Sequence, residues 1–166
     1  MSTTTTQKVA ASPATDATML TRIATEGYGD GAWHGNDLKA ALAEVTPELA
    51  FWRPGPGRHN IAEIGLHHAY TARSVRARLA GSKGIVEPFV LAGEDWFELD
   101  DDHALSWPTI RDTVASQQER LVEAIGALQS VRLSDQVKPF DLILGITCHA
   151  IYHAGQIQLI KVLRKG

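Results

Sequence analysis

Residues 58–81 read RHNIAEIGLHHAYTARSVRARLAG, and this stretch carries the marks of a complete helix. Asn60 followed three places later by Glu63 is a capping-box pattern, in which cap and glutamate satisfy free backbone N–H groups reciprocally. Ile61, Ile64, Ala72, Val75 and Leu79 then recur at helical spacing, and Gly81 supplies the stop. A helix with one apolar face needs neighbours to bury that face. Three further amphipathic segments are available.

One opens near Asp16 as N-cap, turns Met19, Leu20, Ile23 and Ala24 inward, and ends at Gly27, Gly29 and Gly31. Another starts at Pro108, a residue suited to a first helical turn, with Ile110, Val114, Leu121, Ile125 and Leu128 in one stripe. The last spans about Phe140 to Leu163, with Leu142, Ile146, His149, His153, Ile157 and Ile160 facing inward. Lys161, Arg164 and Lys165 suit the negative pole at its end.

Between the first two lie a short helix, Asp37 to Ala43, with Asn36 as cap, and a helical turn from Pro47 to Ala50. RPGPGR breaks both helix and strand. No segment alternates with period two over a useful length. The expected fold is all-α: a four-helix bundle occupying residues 16–166, with the 82–107 connection as a long crossover between the second and third long helices. Residues 1–15, rich in Thr, Ser and Ala, read as a disordered tail. The crossover contains EDWFELDDDH, and connections of this length often shape a pocket.

The composition narrows the function. A chain of 166 residues is long enough for one domain with a sizeable core. Net charge is −3 and basic residues do not cluster, which argues against a nucleic-acid partner. Cys148 is the sole cysteine, so no internal disulfide forms. The opening residues have no apolar core of a secretory signal, and nothing approaches the roughly 20 apolar residues of a membrane span. A cytoplasmic location is the expectation.

Chemistry concentrates in the histidines. HAIYHAGQIQLIK, residues 149–161, places His149 and His153 four apart on one helical face. Such residues are separated by about 6 Å along the axis and roughly 40° around it, so both imidazoles can reach one metal ion. Ala150 stands where a zinc protease would need its glutamate base. The same spacing also serves two hydrogen-bonded core histidines. A third ligand is needed, and LHHAY offers two. His68 continues Ile61 and Ile64 toward Ala72 and Val75; His67 lies on the adjacent flank with Thr71 and Ser74. Periodicity leans toward His68 as the inward residue and does not settle which one ligates.

Three segments, AWHGNDLKAAL, RHNIAEIGLHHAYTARSVRARLAG and LILGITCHAIYHAGQIQLIK, together resemble the DinB-like (YfiT-type) bundle family from about residue 17 to the end. The specific parts are an I-x-E-[IL]-x-x-H helix and a late H-x-x-x-H-x-G-Q-I helix. The resemblance implies a divalent metal held by one histidine of the second long helix and two of the fourth. Matched onto the family pattern these are His67, His149 and His153, with His68 where an apolar residue is usual. Three imidazoles suit Zn, Ni or Fe(II). An open position suits a catalytic metal. The resemblance further implies a thiol-dependent S-transferase acting with a low-molecular-weight thiol, with metal-dependent hydrolysis or a non-catalytic metal-binding bundle as alternatives, and a homodimer.

Other polar residues have plainer readings beside their functional ones. Gln156 can orient a ligand or bond a neighbouring helix. Tyr152 points about 100° away from His153 and reads as packing. Glu63 reads as a cap, Cys148 as a small buried thiol, and Asp100–His103 as a solvated acidic run. Trp33–His34 carries no assigned chemistry. Trp96 and Trp107 are packing residues or a roof over the metal pocket.

Overall fold

The computed structural model describes residues 13–29, 32–81, 87–128 and 137–165, with side chains from residue 17 in the first helix and residue 139 in the last. Residues 1–12 of the expected tail lie outside it. Among the described residues six helices follow in order: α1 (Pro13–Gly27), α2 (Leu38–Leu42), α3 (Pro47–Phe51), α4 (Ile61–Ala80), α5 (Trp107–Gly126) and α6 (Val137–Lys165). No strand occurs among the described residues. The fold is the expected all-α bundle.

The four long helices form a closed ring. α4 packs on α5 and α6, and α1 packs on α6 and α5. Chain order therefore crosses the bundle diagonally from α1 to α4 and again from α5 to α6. α2 and α3 lie along the first crossing, against α6 and α4. α1 and α6 approach closely at Gly27: a Cβ there would stand 2.9 Å from Ala150 Cβ and 3.0 Å from the Thr147 carbonyl. Only glycine admits that contact.

Local chemistry explains the boundaries. The capping box at α4 is complete, Asn60 Oδ1 accepting from Glu63 N and Glu63 reaching back to Asn60 N. Gly81 ends the helix at φ 66°, a backbone region that disfavours side chains. α5 begins at Trp107 with Ser106 as cap and Pro108 in its first turn. Three boundaries differ from the sequence reading. α1 begins at Pro13, ahead of Asp16. α2 is capped by Asp37, whose carboxylate accepts from Ala40 N at 3.0 Å, rather than by Asn36. α6 begins at Val137 and takes Pro139 into its first turn, where backbone N–H groups have no helical partner for proline to remove.

Two apolar clusters fill the interior. The first gathers α2, the N-terminal part of α4, Phe97, Leu99 and Trp107, and Ala150 to Ile160. The second gathers Leu20, Ala24, Ala72, Val75, Leu121, Ile125, Ile143 and Ile146. The histidines of α4 and α6 fall where these clusters meet.

The crossover is tied down at both ends. Glu87 pairs with Arg76 and Arg120 and accepts from Gln117. Further along, Leu99 N donates to Glu63 Oε1 at 3.0 Å, and Asn60 Nδ2 donates to the Leu99 carbonyl at 2.6 Å. Glu63 is 1% exposed and also takes both terminal nitrogens of Arg53. Burial pushes its carboxyl up, but Arg53, Leu99 N–H and His59 outweigh that and hold it below the usual range. The cap of α4 thus fixes the segment that passes over His67. None of the helices among the described residues is long and apolar enough to cross a membrane.

Candidate metal centre

α4 contributes His67 and α6 contributes His149 and His153. His67 Nε2 stands 3.0 Å from His149 Nε2, and His149 Nε2 stands 3.1 Å from His153 Nε2. Among the described residues these three form a group able to hold a metal ion, one nitrogen from each within 4.8 Å of the others.

The far nitrogens explain why the Nε2 atoms converge. His67 Nδ1 lies 2.9 Å from the Asp95 carbonyl and 3.1 Å from Asp95 Oδ1. A carbonyl only accepts, so Nδ1 carries a proton, and Nε2 is the nitrogen whose lone pair the neutral tautomer presents. His153 Nδ1 donates to Gln156 Oε1 at 2.6 Å, and Gln156 Nε2 in turn donates to Tyr152 Oη at 3.0 Å. Metal-bound histidines characteristically have such partners on the second nitrogen.

Burial, then the charges of His153 and His67, push His149 down to about 3. Burial, partly offset by the Gln156 hydrogen bond, pushes His153 down to about 4. Both rings are therefore neutral at neutral pH. Lone pairs 3.0 and 3.1 Å apart repel unless a cation or proton lies between them. Tetrahedral ligands at about 2.0–2.1 Å from zinc are separated by roughly 3.3 Å, so the cluster fits such an ion with a small outward adjustment.

The crossover forms the roof. Trp96 stacks on His67 with centroids 3.9 Å apart and planes within 5°. Its other face meets His59 at 3.7 Å and 10°, and His59 Nδ1 is bonded to Glu63 Oε2. Asp95, just before Trp96, holds the unusual φ of 62°. Two grooves adjoin the cluster. One of about 410 Å³ is walled by His149 itself with Thr71, Val75, Arg78 and Ile146. The other, about 540 Å³, runs from Arg58 and His59 past Gln156 to Leu159 and Leu163.

The remaining sequence candidates sort clearly. His68 is wholly buried and touches His149 through Nδ1 instead of joining the Nε2 group. Glu63 is the cap and anchor described above. Trp107 is core, its Nε1 donating to the Val45 carbonyl. Cys148 is exposed where a buried thiol was expected, because it lies on the outer face of α6. Tyr152 is 64% exposed, so it bonds Gln156 from outside and does not pack in the core. Asp101 accepts from His103 N and Asp100 pairs with Arg53, which accounts for part of the acidic run locally. Trp33 is 92% exposed and its N–H, with His34 Nε2, is tied to Glu26. Asp95 and His59 escaped the sequence reading. The crossover has no periodicity to point to Asp95, and nothing adjacent in sequence links His59 to a tryptophan 37 positions on.

A family model described as the DinB superfamily matches residues 31–157, more than half of the chain. No curated protein and no solved structure matches.

Proposed function

The chain belongs to the DinB superfamily, and from that premise we propose that it is a metal-dependent enzyme whose divalent ion is held by Nε2 of His67, His149 and His153. The observation that carries this reading is the convergence of three Nε2 lone pairs whose opposite nitrogens are each engaged. Three neutral nitrogen donors suit Zn, Ni or Fe(II). Such an ion would polarise a thiol or water and lower its pKa toward neutrality.

The chain's own residues do the rest. Asp95 and Gln156 hold the rings of His67 and His153 in place. Trp96 covers His67 and excludes water from that side. The groove walled by His149 gives a small molecule a route to the ligand cluster.

Thiol S-transfer is the favoured reaction, with hydrolysis second, because among the described residues no free carboxylate touches the cluster. Glu63 is saturated by Arg53, His59, Asn60 N–H and Leu99 N–H. Asp95 is engaged with His67 Nδ1. A thiol whose proton is lost on metal binding has no need of such a base, whereas hydrolysis benefits from one. The substrate is then a small electrophile and the partner a low-molecular-weight thiol.

The outer face of α6 supports a homodimer. Leu144, Cys148, Tyr152, Gly155, Leu159 and Val162 form an exposed uncharged stripe along most of its length, the four large residues among them 41–66% exposed. Stripes of this size commonly mark protein contacts. A single, exposed cysteine fits a reducing compartment, in keeping with a cytoplasmic location. The test of activity is a turnover screen of thiols against electrophiles with metal-loaded protein. Turnover that requires both thiol and metal supports the reading; hydrolysis without thiol, or consistent inactivity, contradicts it.

A further inference from the structure

His68 follows His67 on α4, is 0% exposed, and reaches His149 from the side opposite the Nε2 cluster. Its Nδ1 stands 3.3 Å from His149 Nδ1, with the ring centroids 5.5 Å apart. Its Nε2 is buried without a hydrogen-bond partner. The Gln118 side chain lies near enough to favour a charged ring, yet closes no bond of normal geometry to that atom. Leu66, Ala69 and Ala72 beside it on α4 are apolar and buried. An apolar side chain would fill the same volume and leave no orphaned nitrogen. A buried unsatisfied group in a well-packed core calls for an explanation.

The explanation lies at Nδ1. Two ring nitrogens at 3.3 Å share one proton in a hydrogen bond. If His68 donated it, neutral His149 would carry its own proton on Nε2 and offer no lone pair to the cluster. If His149 donates, its Nε2 is bare, and His68 must carry its proton on Nε2, the orphaned atom. We infer that His68 is a positioning residue that holds His149 in the Nδ1–H tautomer and so presents its Nε2 to the metal. His68 does for His149 what the Asp95 carbonyl does for His67 and Gln156 does for His153. The inference rests on the metal-centre reading for its purpose, and on the distances alone for the tautomer.

Two variants test it. In His68→Asn the amide oxygen falls close to the former Nδ1 and can still accept from His149; His68→Phe fills the space with no acceptor. Affinity is read by competition for zinc against a chromophoric chelator. The expected loss is about 10- to 100-fold for His68→Phe, the size usual for a lost ligand-orienting partner, with His68→Asn within a few-fold of the unaltered protein. Equal affinity in His68→Phe, or equal losses in both variants, overturns the assignment. Long-range ¹H–¹⁵N NMR of the metal-free, unaltered protein gives a second readout that depends on neither variant folding. His149 as Nδ1–H with His68 as Nε2–H is expected, and the opposite tautomers overturn it. Unaltered protein that shows the expected tautomers but takes up no zinc would sink the metal reading while leaving the hydrogen bond assigned.

Discussion

At the scale of single residues, the three proposed ligands differ in what holds them, and removal of each has a defined consequence. His67→Ala, His149→Ala and His153→Ala should each lower zinc affinity by more than the roughly 10- to 100-fold expected for losing a supporting partner, as read by equilibrium competition. Retention of near-normal affinity in any one would remove that residue from the centre. The same burial that keeps His149 and His153 neutral makes the metal-free protein sensitive to acid. His68 and His149 are pushed down to about 3 and His153 to about 4, while unfolded histidine titrates near 6.5. Between those values the unfolded chain binds protons that the folded chain refuses, so stability falls as the pH drops below about 6.5. Each such histidine contributes a slope approaching about 1.4 kcal/mol per pH unit. Glu63, held below its usual range, adds a loss of the same sign beneath roughly pH 4.3. Denaturant melts between pH 7 and 5 check this; a flat profile would contradict it. The His67–His68 choice shows what residue-level pattern can and cannot reveal. Periodicity correctly saw His68 as the more inward residue, at 0% against 7% exposure. Inwardness alone does not bring a nitrogen to the Nε2 group, because that group lies on the flank of α4 beneath Trp96, and the deeper His68 meets His149 at Nδ1 instead.

At the scale of elements, the N-terminus of α4 is the hinge between fold and site. Its cap is formed by residues that also hold the crossover, so Glu63→Gln should cost about 1.5–3 kcal/mol, the range for hydrogen bonds to a charged group, and weaken zinc binding as Asp95 and Trp96 loosen. Loss of stability with fully retained affinity would show that the crossover does not depend on this anchor. Where α1 and α6 touch, Gly27→Ala should destabilise by about 1–3 kcal/mol through overpacking, measured by chemical denaturation; a neutral effect would mean that the two helices separate freely. The long helices were legible in sequence because a cap, an apolar stripe and a glycine stop coincide at Asn60–Gly81, and because Pro108 opens a stripe that runs from Ile110 to Leu128. Their first turns were less so: nothing in the pattern distinguishes a proline before a helix from one inside its first turn, as at Pro139. The crossover was legible as a pocket former, but its contacts were not. Asp95 and Trp96 reach His67 through tertiary anchoring at Leu99 and Glu87, which leaves no trace in local spacing.

At the scale of the whole molecule, the ring of four helices sets His67 of α4 beside His149 and His153 of α6, while Leu144, Tyr152, Leu159 and Val162 stand exposed on the outer face of α6. Val162 is 66% exposed and lies outside both grooves, so Val162→Glu should leave the fold within about 0.5 kcal/mol and convert a dimer to monomer by size-exclusion chromatography with light scattering. An unchanged mass for the variant, or a monomeric unaltered protein, would remove α6 from any interface. The central claim is the metal itself. Its most direct measurement is elemental analysis of protein purified without a histidine tag and loaded with zinc, then freed of excess ion. Close to one ion per chain is expected, lost on His149→Ala; less than about a tenth of an equivalent, against the tight binding expected of a preformed site, would contradict a metal centre in this bundle.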